Sequence, residues 1–451
     1  MATHPGKKLV LLTYEFTYSP FSGNGILARS IVKSLLSLGC SFTVWCCRPE
    51  ERETDDSCKP HAIDNQVGKH NHLAVPEISE ESYRRLRLVT SVIPARLGWR
   101  KLDDRSGWDH FRTENMNEQD RQVLEKAVYE ADAICVIDWT GAVAYRSIHL
   151  AQQRPNVFYL NFRVYSSGVS DPERKEWFDR MERDALSAAN TIVALSTTDA
   201  QTLSSLRNTE GMPLQQGNMS QLTQPKIEIV LPPLRQDMAD LASAQNWNGA
   251  DSLPTEVVHC CKGLSRTLVA CVVRQSPEKE VMRFVNFVRQ ATAQLNDYGF
   301  SVVLAGAGAD SDYAEEVRSS LRSVFPSAVI IDSFLKPEAL GALFLRTAVN
   351  IHPCSYDAYG MTVVEAAAFG APSVLAPGVG ASALIGPNES IRVQFPSTNK
   401  EGFSEADTDK VVRVMSDPRT LCSVSEAAKR KALGWSETAY GRELLRLIEE
   451  L

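Results

Sequence analysis

Short apolar runs alternate along this chain with longer segments whose apolar residues recur at helical spacing. Lys8–Thr13 has a fully apolar centre. Ile26, Leu27, Ile31, Leu35 and Leu38 then fall on one helical face, and Gly39 ends that helix. Ser41–Cys47 is a second apolar run. Strand, helix and strand in this order start a parallel, doubly wound sheet. The alternation continues with strands predicted at 86–93, 131–139 (ending in Asp138), 156–161 and 191–196, and 227–233 closes the first domain. Helices are predicted from the end of the 131–139 strand to about 153 and over 173–189, and the polar stretches 49–73 and 203–226 read as loops.

The pattern restarts in the second half. Strands are predicted at 267–273, 301–305, 329–332, 348–352 and 373–376, with helices over 281–295, 313–324, 337–347 and 361–369. Residues 425–451 read as helical, with a break near Gly434-Trp435. At 451 residues the chain exceeds one compact domain. The expected division is an N-terminal domain over 1–236, a linker over 237–264, a C-terminal domain over 265–425, and a helical segment over 426–451 that can pack back on the N-terminal domain.

A hydrophobic content of 43% supplies two cores, and a net charge of −7 argues against nucleic-acid binding. No apolar run reaches the roughly 18 residues of a membrane span. The start lacks the apolar core of a signal peptide. The expectation is a cytoplasmic protein, with peripheral membrane contact left open. Ten scattered cysteines form no C-x-x-C pair and read as buried thiols. The eight histidines show no metal-binding spacing, so no metal is expected.

Candidate chemistry gathers at His352–Pro372. A buried strand enters a polar, glycine-containing loop, and a helix starts near Met361. Free N–H groups and the dipole make that helix start an anion cradle. Asp357 and Glu365 flank it. Acids beside a phosphate site can accept hydrogen bonds from hydroxyls of a ribose and a sugar, which suggests a nucleotide-sugar site. Arg274 and Lys279, five residues apart after the strand at 267–273, suit a diphosphate clamp. Gly23-Asn24-Gly25 at a helix start lets a ligand approach backbone closely. It matches the dinucleotide fingerprint G-x-G-x-x-A, but the long loop after Thr13 and the absence of an acid at Cys47-Arg48 argue against that reading. Trp99, Arg100 and Trp108 suit recognition of a polar acceptor.

Two α/β halves, Gly23–Gly25, R-x4-K at 274–279 and D-x7-E at 357–365 occur in a fixed order that resembles the retaining nucleotide-sugar glycosyltransferases of the GT-B fold, glycosyltransferase family 4 in particular. The resemblance is strongest over 267–386. It implies two Rossmann-like doubly wound domains facing across a cleft. It further implies a hexosyltransferase-type enzyme that needs no cofactor and moves a sugar from a nucleoside-diphosphate sugar to an acceptor hydroxyl with retention.

By the same resemblance, Arg274 and Lys279 bind the diphosphate, Glu365 the ribose and Asp357 the transferred sugar. Gly306, Gly360, Met361, Thr362 and Val363 join Gly23, Asn24 and Gly25 as donor contacts. Three positions depart from the family pattern. Asp357 stands where Glu is usual, and Val273 stands where Gly usually precedes the Arg. Asn161-Phe162-Arg163 stands where a histidine is often found, which makes Asn161 and Arg163 acceptor-side candidates. A catalytically silent nucleotide-sugar-binding protein and a GT-B sugar-nucleotide epimerase are the alternatives. Sugar, base, acceptor and oligomeric state are not specified by the sequence.

Overall fold

The computed structural model describes residues 6–16, 23–49, 78–93, 111–148, 156–169, 171–208, 225–261, 265–308, 311–395 and 402–450. The chain forms two compact units, Met1–Val230 with Glu437–Leu451, and Leu231–Ser436.

The first unit is built on a parallel sheet of β1 (Lys8–Leu12), β2 (Ser41–Pro49), β3 (Leu86–Ile93), β4 (Ala133–Ile137), β5 (Asn156–Asn161), β6 (Thr191–Ala194) and β7 (Lys226–Ile229). Its strand order is β3-β2-β1-β4-β5-β6-β7. Register is set by pairs such as Leu11 with Val44 and Leu11 with Cys135. The central strands are buried along their length, as their unbroken apolar runs require. Helix Gly23–Ser37 packs on the last helix, Glu437–Glu449. Gly441 allows that approach, since a Cβ there would lie 2.7 Å from the Ser34 Cβ.

The second unit repeats the plan with β8 (Leu268–Val272), β9 (Ser301–Ala305), β10 (Val329–Ile331), β11 (Thr347–Ile351), β13 (Ser373–Leu375) and β15 (Ile391–Arg392). The order is β10-β9-β8-β11-β13-β15, and the described pairings are parallel. Two short strands, β12 (Tyr356–Asp357) and β14 (Gly378–Val379), pair beside it. Both sheets therefore follow the Rossmann order, in which the chain builds outward from a central strand and then crosses to its other side. The crossing points lie between β1 and β4, and between β8 and β11. Ligands of such sheets bind beyond the C-terminal strand ends there.

Several expectations need correction. The strand expected to end in Asp138 stops at Ile137, because Asp138 takes a left-handed φ of 52° and opens helix Asp138–Arg146. The loop expected from 203 is helical through Asn208, where the polar sequence hides the buried Leu203. The 237–264 stretch, read as a linker, contains helices Gln236–Ser243 and Thr255–Val258 and lies within the second unit. A few apolar anchors hold it: Met238 and Val257 are buried, and the Trp247 ring stands 5.7 Å from that of Phe369. The helix Glu405–Ser416 and strands β12, β14 and β15 carried no sequence expectation. Trp99, Arg100 and Trp108 lie outside the described residues.

Candidate functional site

In the second unit the two strands bounding the crossing point deliver the candidate residues. Arg274, Lys279 and Glu280 follow β8, while His352, Ser355 and Asp357 follow β11. The Lys279 ammonium donates to Asp357 Oδ2 at 2.6 Å, and His352 Nε2 lies 3.1 Å from the same oxygen. Burial alone pushes the Asp357 carboxyl up, but Lys279 and His352 hold it well below the usual carboxylate range. Burial works against a His352 imidazolium, yet the Cys354 sulfur and the Asp357 carboxylate outweigh it and push His352 up to about 9. Arg274 donates to Glu278 at 2.6 Å, which keeps the guanidinium within its own loop.

The helix Met361–Ala368 begins at Gly360, whose φ of 85° is left-handed. A Cβ there would lie 3.1 Å from Val379 Cγ1 and 3.3 Å from His352 Nε2. Glycine is thus what lets this helix start against the His352 ring, with its first amides at the strand end. Met361 and Thr362 are half-buried and Val363 is buried. Gly306, at φ 137°, is required by packing: a Cβ would approach the Val273 carbonyl oxygen to 2.1 Å.

Glu365 lies on the next turn, buried, with Oε1 3.6 Å from Arg235 Nη1. Burial pushes its carboxyl up, Arg235 opposes this and Asp237 adds to it. Arg235 also donates through Nε to Asp237 at 3.0 Å.

The first unit places its own polar group at the β1–β4 crossing. Asn24, in the first turn of helix Gly23–Ser37, donates to Asp138 Oδ2 at 2.7 Å. Asp138 also accepts from the Phe162 backbone N–H at 2.7 Å and from the Tyr165 hydroxyl at 3.0 Å. Burial pushes its carboxyl up to about 7, against the Phe162 and Tyr165 hydrogen bonds. Asn161 is fully buried, and its amide donates to Glu182 at 3.1 Å and to the Arg163 carbonyl at 3.1 Å. Its side chain therefore braces the turn after β5. Arg163 is half-buried, with its guanidinium 5.7 Å from the Tyr165 ring centre.

The sequence reading thus picked out Lys279 and Asp357, which the fold brings into contact, along with Arg274 and Glu365. It did not single out His352, Glu280, Arg235 or Asp138 as site residues. His352 had a signal, since it ends the strand that leads to Asp357. Arg235 sat beside an apparent linker and had none.

Residues 262–431 match the family model Glycosyl transferases group 1. Over 115 residues the chain is 34% identical to a GDP-mannose-dependent alpha-mannosyltransferase of Mycolicibacterium smegmatis (strain ATCC 700084 / mc(2)155), a match covering 26% of each protein. The matched stretch thus spans about a quarter of that relative's length. Among solved structures, a sucrose-phosphate synthase (tll1590) from Thermosynechococcus elongatus is similar with a TM-score of 0.67 at 13% identity, covering 98% of both chains. Anabaena Alr3699/HepE in complex with UDP and glucose is similar with a TM-score of 0.64 at 13% identity, covering 99% of this chain and 100% of that one. The fold is that of the GT-B glycosyltransferases, with two Rossmann-like domains. Among the described residues, no helix is long and apolar enough to cross a membrane.

Proposed function

We propose that this protein is a hexosyltransferase-type glycosyltransferase, which moves a sugar from a nucleoside-diphosphate sugar to an acceptor hydroxyl with retention and without a metal. The observation that carries this reading lies at the crossing point of the second sheet, inside the stretch matched by the family model. There, a lysine–carboxylate pair and a glycine-opened helix start sit at adjacent strand ends. The GDP-mannose dependence of the sequence relative and the UDP and glucose bound by the Anabaena structure support a nucleoside-diphosphate hexose as donor.

The chemical demand is charge on the leaving group. As the sugar–phosphate bond breaks, its electron pair stays on the diphosphate. Lys279, Arg274 and the first amides of Met361–Ala368 stabilise that charge as preorganised electrostatics. Asp357 accepts hydrogen bonds from the transferred sugar. Glu365 takes the ribose hydroxyls, and Arg235 favours its ionised form. The acceptor oxygen bonds the anomeric carbon on the face the diphosphate leaves, and its proton passes to the departing phosphate. We assign the first unit to the acceptor and the whole to the cytoplasm.

Thermal shift with UDP-glucose, GDP-mannose and ADP-glucose tests the donor. A sugar nucleotide at a hundredfold excess over its Kd stabilises by about 2.7 kcal/mol. Transfer or donor hydrolysis is expected in the wild type and is lost at least a hundredfold in Arg274→Ala and Glu365→Ala. Donor binding with no turnover on a broad acceptor panel selects the silent binding protein instead.

A further inference from the structure

Glu280 is the only residue other than glycine and Asp138 that takes a positive φ among the described residues, at 50°. Glycine would adopt that conformation without strain, so a glutamate there needs a use for its side chain. The carboxylate has one. It accepts from the Ser355 backbone N–H at 2.5 Å and from the Ser355 hydroxyl at 2.9 Å. It also pairs with Arg283 Nη1 at 3.1 Å. Arg283 is buried, with its guanidinium 4.8 Å from the Phe395 ring centre.

The ladder between β8 and β11 runs only from Leu268–Thr347 to Ala270–Asn350. Past it the chains diverge into the loops that carry Lys279 and Asp357. Cys354 Sγ reaches the Lys279 carbonyl at 3.6 Å, and Glu280 meets Ser355 one residue further on. The Glu280–Ser355 tie thus stands beside the Lys279–Asp357 ion pair and shares no side chain with it.

We propose that Glu280 is a positioning residue, whose carboxylate holds the Lys279 loop on the Asp357 loop through Ser355. This rests on the donor-site reading above. An anionic donor draws the Lys279 ammonium away from Asp357, and the ion pair then no longer joins the loops. The Glu280 tie persists through that exchange and keeps the Lys279 loop against the Asp357 loop. The buried Arg283 pairs with Oε2, the same carboxylate oxygen that accepts from the Ser355 N–H.

The test uses Glu280→Gly, which frees the backbone, and Glu280→Asn, which tolerates the left-handed conformation but is too short to reach Ser355. Pulse acetylation followed by mass spectrometry reads Lys279 against Lys410 and Lys429 in the same chain. Both variants are expected to raise Lys279 labelling severalfold relative to those lysines. Binding of UDP, GDP and ADP should weaken by about tenfold in whichever the wild type prefers. A purely structural role would lower the melting temperature without this selective change. Lys279 labelling that matches the wild type in Glu280→Asn overturns the proposal, even if Glu280→Gly differs. If none of the three nucleotides binds the wild type, the donor reading fails, while the labelling still decides the role of Glu280.

Discussion

Asp357 concentrates the electrostatics of the candidate site in a single carboxylate. Lys279 and His352 both address its Oδ2 oxygen. Its depressed carboxyl contributes stability above the unfolded value of about 3.9, which is lost as pH falls through the folded value. His352 works in the opposite direction. Its folded value of about 9 lies above the unfolded 6.5, so its contribution is complete below pH 6.5 and lost as pH rises to 9. Asp357→Asn removes one of the groups that raise His352. Urea unfolding of the variant is therefore expected to show a shallower loss of stability between pH 6.5 and 9, by about 1–2 kcal/mol over the window. An unchanged slope would mean that His352 is held up by Cys354 alone. The spacing of Arg274, Lys279, Asp357 and Glu365 was legible along the chain because each sits at a fixed distance from a strand end. The Lys279–Asp357 contact was not, since its partners lie 78 residues apart.

The helix Met361–Ala368 is the element on which the proposed donor site depends. It was legible because a buried strand, a glycine loop and an alanine-rich apolar run follow in order. Its start, however, depends on the left-handed Gly360 fitting between Val379 and His352. Gly360→Ala is expected to cost about 1–3 kcal/mol from backbone strain alone. Calorimetry should show this as a lower melting temperature, and nucleotide binding should weaken with it as the first amides move. A variant as stable as the wild type would show that the neighbours give way. The 237–264 stretch failed as a linker for the converse reason. Its local composition is polar, and its helices are held by contacts of Met238, Trp247 and Val257 with residues distant in the chain.

The whole molecule repeats one plan twice, but the chain does not divide at a single point. Its last helix, Glu437–Glu449, belongs to the first unit. Glu437 is buried there, accepting from Ser30 at 2.7 Å and pairing with Lys33 at 3.4 Å. Glu437→Ala leaves a largely buried ammonium without that partner, so a loss of about 1–3 kcal/mol is expected. Hydrogen exchange should rise in Gly23–Ser37 and stay unchanged in 268–351. Equal protection in both variant and wild type would remove this helix from the first unit's fold.

The alternation of apolar strands and amphipathic helices was enough to specify two parallel, doubly wound sheets, because right-handed crossovers leave few other arrangements for such a chain. It also specified which loops leave the strand ends, and hence Arg274, Lys279, Asp357 and the helix start at Met361. Only the tertiary structure decided that Lys279 meets Asp357, that Glu280 reaches Ser355, that Asp138 gathers Asn24 and Tyr165, and that Gly23–Ser37 is the helix on which the C-terminal one packs. Periodicity and propensity act over a few neighbouring residues. Contacts between distant segments are set by strand order, register and the burial that sheet formation imposes.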